Sequence, residues 1–291
     1  MALLDTGGTG LVELTKRTVK RFGEKEMTIY ASALAFHTLF SLFPFLLFLV
    51  ALLGFLHLGE FFEWIRLQAE LALPPMAMEQ VNPVIDQLQE QQGGLLSFGI
   101  LLALISASKG VRTLMAGMNA AYDVHEQRPG WKIYLLSLVY TVGIAGMLLV
   151  AAALMIMGPQ VMEWLASLVG LQDIIVTLWT WLRWPVVVIL MMLAVAVMYY
   201  VAPDVEQSFR FITPGSVLAV LVWIVASIGF GIYVQNFANF NATYGSIGAI
   251  IVLLMYFFLS ASVLLFGAVL NSVIEHSSSQ GKDDGDKKLD S

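Results

Sequence analysis

The sequence predicts an all-α, polytopic membrane protein with six membrane-spanning helices. Of its 291 residues, 58% are hydrophobic and only 12% are charged, whereas a soluble domain carries about 25% charged residues. Several uncharged runs are long enough to cross the roughly 30 Å hydrocarbon core of a bilayer as helices. The basic residues fall mainly in alternate connecting segments, which predicts both termini in the cytoplasm.

Charge and composition also exclude several classes of function. The formal net charge is −6, which argues against a nucleic-acid partner because such proteins need a basic surface. No cysteine is present, so disulfides, iron–sulfur clusters and thiolate zinc sites are excluded. The chain has no HExxH, GxSxG, Walker or GxGxxG motif. The sequence therefore predicts no metal site, no cofactor and no enzyme.

The N-terminal segment, residues 1–26, is predicted to be cytoplasmic. Residues 11–26 place Leu11, Leu14 and Phe22 among five basic residues. This pattern is typical of a short amphipathic helix that lies on a membrane surface with its basic face toward anionic head groups. A solvated charged linker is the alternative interpretation.

The predicted membrane domain covers residues 27–275 and is followed by a disordered cytoplasmic tail, 276–291. Its six spans are placed at about 28–58, 93–121, 132–157, 185–202, 214–236 and 244–271. With this arrangement, 13 of the 15 Lys and Arg residues lie on the N-terminal side, and only Arg66 and Arg183 lie on the other. The positive-inside rule then places that side in the cytoplasm.

The first span contains His37, Ser41 and Pro44. Proline removes a backbone donor, so Pro44 is expected to kink the helix or break it. His37 is a titratable group deep in a span, and such a group is a candidate functional residue. A neutral histidine that is hydrogen-bonded inside the helix bundle is the alternative.

Residues 59–92 differ from the spans because acidic side chains predominate and Pro74-Pro75 divides the segment. Both halves carry apolar residues at three-to-four spacing, which is typical of amphipathic helices. We therefore expect an extracytoplasmic helical cap between spans one and two.

The second span ends in a polar face. Lys109, Arg112, Ala116, Asn119 and Asp123 follow helical steps of three and four. This face is predicted either to bind an anionic head group in a cytoplasmic vestibule or to be a positively charged stop at the membrane interface.

The later connecting segments are also polar or aromatic. Residues 158–183, between spans three and four, are rich in tryptophan, which suits a membrane interface. Between spans four and five, Asp204 and Arg210 are expected to pair. The last span has no charge from 244 to 270, and Gly245 and Ala249 form a small-xxx-small pattern used in helix contacts.

The motifs together resemble a known family. The run from Asn236 to Ala249 (NFANFNATYGSIGA), the exit LFGAVLN ending at Asn271, the first-span ALAFHTLFSLFP ending at Pro44 and the Pro214-Gly-Ser start are similar to the YihY/BrkB family of bacterial inner-membrane proteins. The resemblance covers about residues 15–275. It implies six spans, a multi-pass protein of the bacterial inner membrane and a role in envelope lipid or lipopolysaccharide handling. Members were once labelled ribonuclease BN.

Three functions are weighed. The first is transport or flipping of an amphipathic envelope molecule, with membrane lipids, chiefly those with anionic head groups, as partners. The second is a non-enzymatic membrane scaffold for envelope assembly, and the third is a ribonuclease, which the absence of a catalytic cluster disfavours. A homo-oligomer is left open. The candidate binding residues are His37, Ser41, Pro44, Lys109, Arg112, Asn119, Tyr122, Asn241, Tyr244, Gly245, Ser246 and Asn271.

Overall fold

The computed structural model describes residues 10–55, 63, 66, 67, 78, 82, 93–169, 172–205, 212–237 and 246–277. In these residues the chain is helical apart from short connections. The helices are α1 (Leu11–Glu24), α2 (Met27–Phe55), α3 (Gly93–Tyr122), α4 (Gly130–Val169), α5 (Gln172–Val201), α6 (Pro214–Phe237) and α7 (Ser246–Ser277).

The prediction of a six-span helical membrane protein is confirmed. Six helices in the described part of the chain are long and apolar enough to cross a bilayer. The candidate spans are Met27–Phe45, Phe98–Tyr122, Gly130–Met147, Thr177–Val201, Pro214–Val234 and Ile250–Ser277. Many of their large apolar side chains are exposed in the protein alone, as expected where lipid is the solvent.

The chain divides into two units, and the first comprises Met1–Phe36 and Ser108–Ser291. Within this unit α7 packs against α6 and α1, while α5 packs against α4 and α6. Met27, Met115, Met118, Leu265 and Val269 are fully buried in its core. Unbranched methionine fills the irregular gaps that helices leave at such a junction.

The second unit comprises His37–Ala107. It contains the rest of α2 and the first half of α3. Within it Arg66 donates a hydrogen bond to Asn82 over 3.3 Å. Most of the predicted acidic cap, 59–92, lies outside the described residues.

Pro44 was expected to kink the first span or break it, and the structure excludes the break. Helix α2 continues from Met27 to Phe55 with Pro44 inside it. A proline leaves one carbonyl without its helical donor. Unwinding the segment in lipid would leave several backbone groups without partners, which is more costly. The continuous helix is therefore favoured.

Two further boundaries differ from the expectation. Residues 158–183 were expected to connect two spans, yet α4 extends to Val169 and α5 begins at Gln172. Helix α4 passes through Gly158 and Pro159, and the run 160–169 that follows contains no glycine or proline, so nothing in that run stops the helix. In addition, α3 ends at Tyr122, and Asp123 has a left-handed φ of 60°. Asp123 therefore does not extend the polar helical face.

Candidate functional site

Asn271 joins the last helix to the start of α6. Its Oδ1 accepts a hydrogen bond from the Gly215 amide over 2.7 Å, and its Nδ2 donates to Thr213 Oγ1 over 2.9 Å. An amide in the first turn of a helix has no partner within that helix. Asn271 supplies this partner from another helix while its own side chain is buried. The residue therefore holds α6 and α7 together.

The same junction brings two backbones into close contact at Gly215 and Gly267. A Cβ atom built on Gly267 would lie 2.6 Å from the Gly215 carbonyl oxygen and 3.0 Å from the Ala219 Cβ. One built on Gly215 would lie 2.6 Å from Asn271 Oδ1. Glycine at both positions allows this close packing, in the manner of small-residue contacts between membrane helices.

Two buried tyrosines complete the junction. The Tyr199 hydroxyl donates to the Leu264 carbonyl oxygen over 2.6 Å, which ties α5 to α7. The Tyr122 side chain lies close enough to Asn271 to interact with it. The structure thus brings together two of the predicted site residues, Tyr122 and Asn271, in a polar contact inside the helix bundle.

A second polar group lies where α3 and α5 end. Asn119 is buried; its Nδ2 donates to Glu126 Oε2 over 2.9 Å and its Oδ1 accepts from the Asp204 amide over 2.7 Å. Asn119 therefore links the connection after α3 to the connection after α5. Asn119, which was predicted to contact an anionic head group, has a structural role in this arrangement.

Arg128 is at the centre of this group. Its Nε and Nη2 donate to the two carboxylate oxygens of Glu126, each over 2.7 Å, and Nη2 also donates to the Ala202 carbonyl oxygen over 3.1 Å. Asp204 lies 3.8 Å away and accepts from the Gln127 amide. Such a two-point contact with a carboxylate fixes both side chains. Asn119, Glu126, Arg128 and Asp204 are called the Arg128 cluster below.

The charges of this region stabilise one another. Burial alone would raise the pKa of Glu126, but the hydrogen bonds from Arg128 and Asn119 outweigh it, so the pKa lies below the usual range. Burial would lower the pKa of Arg128, and its bonds to Glu126 raise it instead. In the turn after α3, the hydrogen bond from Lys25 lowers the pKa of Asp123. Both carboxyl groups are therefore ionised at neutral pH.

These shifts predict acid sensitivity. A carboxyl whose pKa is lower in the folded state stabilises the fold above its unfolded pKa of about 4. That stabilisation is lost as the pH falls through the lower, folded pKa. We expect the apparent melting temperature in detergent to drop on acidification from pH 5 to pH 3. The drop should be smaller for Glu126→Gln combined with Asp123→Asn. An equal drop in wild type and variant would contradict the assignment.

A polar cavity adjoins the Arg128 cluster. Its volume is about 550 Å³, and Arg128, Tyr140, Tyr200, Pro203 and Asp204 are among its lining residues. It brings a cation, a carboxylate and two phenol rings to one opening. None of these five was predicted as a site residue. A basic residue next to a proline just before a span, in a chain with few charges, is the signal that could have identified Arg128.

An apolar groove lies between three helices of the first unit. Its volume is about 500 Å³. Leu14, Thr18 and Phe22 line it from α1, and α6 and α7 supply mostly aliphatic and aromatic side chains: Leu218, Ala219, Val222, Val263, Phe266 and Leu270. The Phe22 and Phe266 rings lie 5.7 Å apart, centre to centre. The amphipathic helix thus directs apolar residues toward the spans.

The predicted basic face of α3 is divided in the structure. Arg112 Nη1 donates to Ser108 and Ser137 hydroxyls, each over 3.0 Å, and the guanidinium lies 4.3 Å from the centre of the Tyr134 ring. Arg112 therefore ties α3 to α4. Lys109 is exposed, whereas Arg112 is partly buried and its guanidinium is engaged in these contacts.

The remaining predicted site residues lie in the second unit, outside the described residues or at the start of α7. His37, Ser41 and Pro44 belong to the second unit, where the Ser41 hydroxyl donates to the Thr38 carbonyl oxygen over 2.8 Å. Asn241, Tyr244 and Gly245 lie outside the described residues, and Ser246 is the first residue of α7. Arg210, the expected partner of Asp204, also lies outside them. For these residues the binding role stays a prediction.

Comparison with known proteins identifies the family. A family model described as Virulence factor BrkB matches residues 18–290. The ribonuclease-like protein YfkH of Bacillus subtilis is 36% identical over 260 residues, which cover 89% of this chain and 94% of that protein. A UPF0761 membrane protein of Alteromonas mediterranea is 25% identical over 260 residues, 86% of this chain and 83% of the relative.

A third relative is longer than this chain. It is a UPF0761 membrane protein of Nitrosospira multiformis, 28% identical over 266 residues, which cover 89% of this chain and 60% of the relative. No solved structure matches the chain. The predicted resemblance is confirmed: the chain is a multi-pass membrane protein that belongs to the virulence factor BrkB family.

Proposed function

We propose that this protein transports or flips an amphipathic envelope lipid in the bacterial inner membrane. Both termini lie in the cytoplasm in this proposal, as the Lys and Arg distribution indicates, and maleimide labelling of single cysteines added to this cysteine-free chain checks that orientation. The observation that carries the proposal is the apolar groove that the basic amphipathic helix α1 forms with α6 and α7.

The groove has the size and lining that an acyl chain needs. Its volume of about 500 Å³ falls in the range of roughly 300–1,000 Å³ that is usual for small-molecule sites. Thr15, Thr18 and Ser262 are its polar lining residues. The Thr18 hydroxyl already donates to the Leu14 carbonyl oxygen over 2.8 Å, and the Ser262 hydroxyl to the Phe258 carbonyl oxygen. An acyl chain therefore meets few unsatisfied polar groups there.

Helix α1 supplies the charge that an anionic head group would meet. It carries four basic and two acidic residues, so its net charge is positive. Arg17 pairs with Glu13 and Lys20 with Glu24, both as exposed neighbours on the same helix. Such exposed pairs contribute little stability, so these cations are available to head groups. Each basic residue near an anionic surface contributes about 1 kcal/mol of attraction.

A substitution that fills the groove tests the proposal. Val222 lines the groove and is 40% exposed, so Val222→Trp occupies the space without replacing a buried residue. Val225 lies on the same helix, does not line the groove and is 70% exposed, so Val225→Trp is the matched control. Native mass spectrometry in mild detergent then measures the co-purified lipid per protein.

We expect Val222→Trp to remove most of the tightly bound lipid and Val225→Trp to retain it. Equal lipid content in both variants and in wild type would mean that the groove holds no lipid. That result would favour the scaffold interpretation, in which the groove packs against a partner protein.

A further inference from the structure

The polar cavity beside the Arg128 cluster carries charges of both signs. Arg128 and Asp204 line it together with Tyr140 and Tyr200. The Tyr140 hydroxyl lies close enough to Arg128 and Tyr200 to interact with them electrostatically. Its volume of about 550 Å³ is large enough for a polar head group. The groove described above is lined by other residues, so this is a separate site.

Arg128 and Tyr140 have donors that the protein itself does not use. Arginine has five N–H groups, and those on Nε and Nη2 are directed to Glu126 and Ala202. In the described part of the chain, no hydrogen bond is made by Arg128 Nη1 or by the Tyr140 hydroxyl. A phosphate oxygen accepts hydrogen bonds from both kinds of group.

The Asp204 carboxylate, the second charged group that lines the cavity, determines which class of ligand fits. A purely anionic ligand would meet the Asp204 carboxylate, and a purely cationic ligand would meet the Arg128 guanidinium. A zwitterion offers a group of opposite charge to each of the two charged side chains that line the cavity. Its ammonium group can also lie against the phenol rings, which attract cations through their faces. The side chains of Arg128 and Asp204 lie 3.8 Å apart, a separation suited to the adjacent charges of one head group.

We infer that this cavity binds a zwitterionic phosphate ester of the phosphoethanolamine type, with its phosphate at Arg128 and Tyr140 and its ammonium group at Asp204. The inference rests on the proposed function, because it names the class of lipid that the protein would handle. Tyr200 supplies an aromatic wall to the site.

Asp204→Asn tests the charge match. The variant keeps the size of the side chain and an oxygen that accepts from the Gln127 amide. Native mass spectrometry compares the binding of three lipids with the same acyl chains: phosphatidylethanolamine, phosphatidylglycerol and a trimethylammonium lipid. Wild type should prefer phosphatidylethanolamine by about tenfold. Asp204→Asn should weaken phosphatidylethanolamine binding relative to phosphatidylglycerol, since the ammonium group would lose its carboxylate partner while Arg128 stays paired with Glu126. An unchanged ratio of the two affinities would overturn the inference.

A pair of tyrosine substitutions provides a second test if Asp204→Asn does not fold. Tyr140→Phe with Tyr200→Phe keeps both rings and removes two hydroxyl groups from the cavity. The control is Tyr134→Phe with Tyr233→Phe, two exposed tyrosines that do not line the cavity. We expect phosphatidylethanolamine binding to weaken about tenfold in the first pair only. Equal binding by both pairs would contradict the site.

Two further measurements distinguish a free phosphate ester from a lipid as the ligand, and this binding site from the proposed transport function. Soluble O-phosphoethanolamine should compete for the site if a free phosphate ester is the ligand, and only the lipid should bind if the acyl chains are needed. Competition by inorganic phosphate alone would contradict the zwitterion. Unchanged head-group selectivity in both sets of variants, together with lipid transport by the wild type, would reject this site but leave the proposed function. Head-group selectivity that depends on Asp204 in a protein that moves no lipid would do the reverse.

Discussion

Gly267→Ala and Gly215→Ala are each expected to prevent stable folding of the helix bundle. In both cases the added methyl group would lie within 3.0 Å of atoms of the neighbouring helix, including a backbone carbonyl oxygen. A flexible side chain could move away, but the Gly215 and Gly267 carbonyl oxygens belong to the α6 and α7 backbones. Overpacking of a core typically costs about 1–3 kcal/mol, and separating two helices costs more.

The measurement is the apparent melting temperature and the monodisperse yield after solubilisation in mild detergent. We expect a loss of roughly 10 °C or more, or no folded protein, for each variant. The control is Gly231→Ala, a glycine of α6 around which no atom lies within 4 Å of a new Cβ. That variant should match wild type, because alanine favours a helix over glycine. A stable Gly267→Ala protein would show that the two helices do not meet as described.

The second large effect is expected from Arg128→Ala. It removes the partner of Glu126 and Asp204, and the side chains of these three residues are 10–27% exposed. Breaking a buried ion pair costs about 3–5 kcal/mol, because a charge remains without compensation. Partial exposure reduces this figure to about 2–4 kcal/mol. The apparent melting temperature should fall by roughly 5–10 °C.

Arg17→Ala is the matched control for that experiment. Arg17 pairs with Glu13, and each of the two side chains is 52% exposed. The control should change stability by about 1 kcal/mol or less. Adding Glu126→Gln to Arg128→Ala should recover part of the lost stability, because the carboxylate would then be neutral. Additive losses in the double variant would show that the two residues do not interact.

The fold class follows from the sequence because lipid imposes a simple requirement. Long uncharged runs must form helices to satisfy their backbone groups. The six spans, of which 214–236 is one, were therefore predictable from their composition alone. Pro44 lies inside a continuous helix because one missing hydrogen bond costs less than unwinding a helix in lipid. The end of α3 was predicted to within one residue, but Asp123 was wrongly placed on its polar face, because no periodic pattern reveals that Asp123 adopts a left-handed conformation.

The candidate site was less predictable than the fold. Asn119, Tyr122 and Asn271 were singled out as candidate binding residues, and all three are buried; their binding role stays a prediction. Their partners, however, come from distant parts of the sequence: Asn271 meets Gly215, and Asn119 meets Asp204. These pairings depend on how the helices pack, which spacing along one helix cannot give. Arg128 was recognised only as a positive charge near the membrane for the same reason.

Transbilayer lipid movement in proteoliposomes tests the central claim most directly. Purified protein is reconstituted with fluorescently labelled phosphatidylethanolamine, and an external quencher measures how fast the lipid of the inner leaflet becomes accessible. We predict faster movement with wild type and with Val225→Trp than in protein-free vesicles, and a loss of most of that increase with Val222→Trp. Wild-type protein that moves lipid no faster than protein-free vesicles would contradict the account.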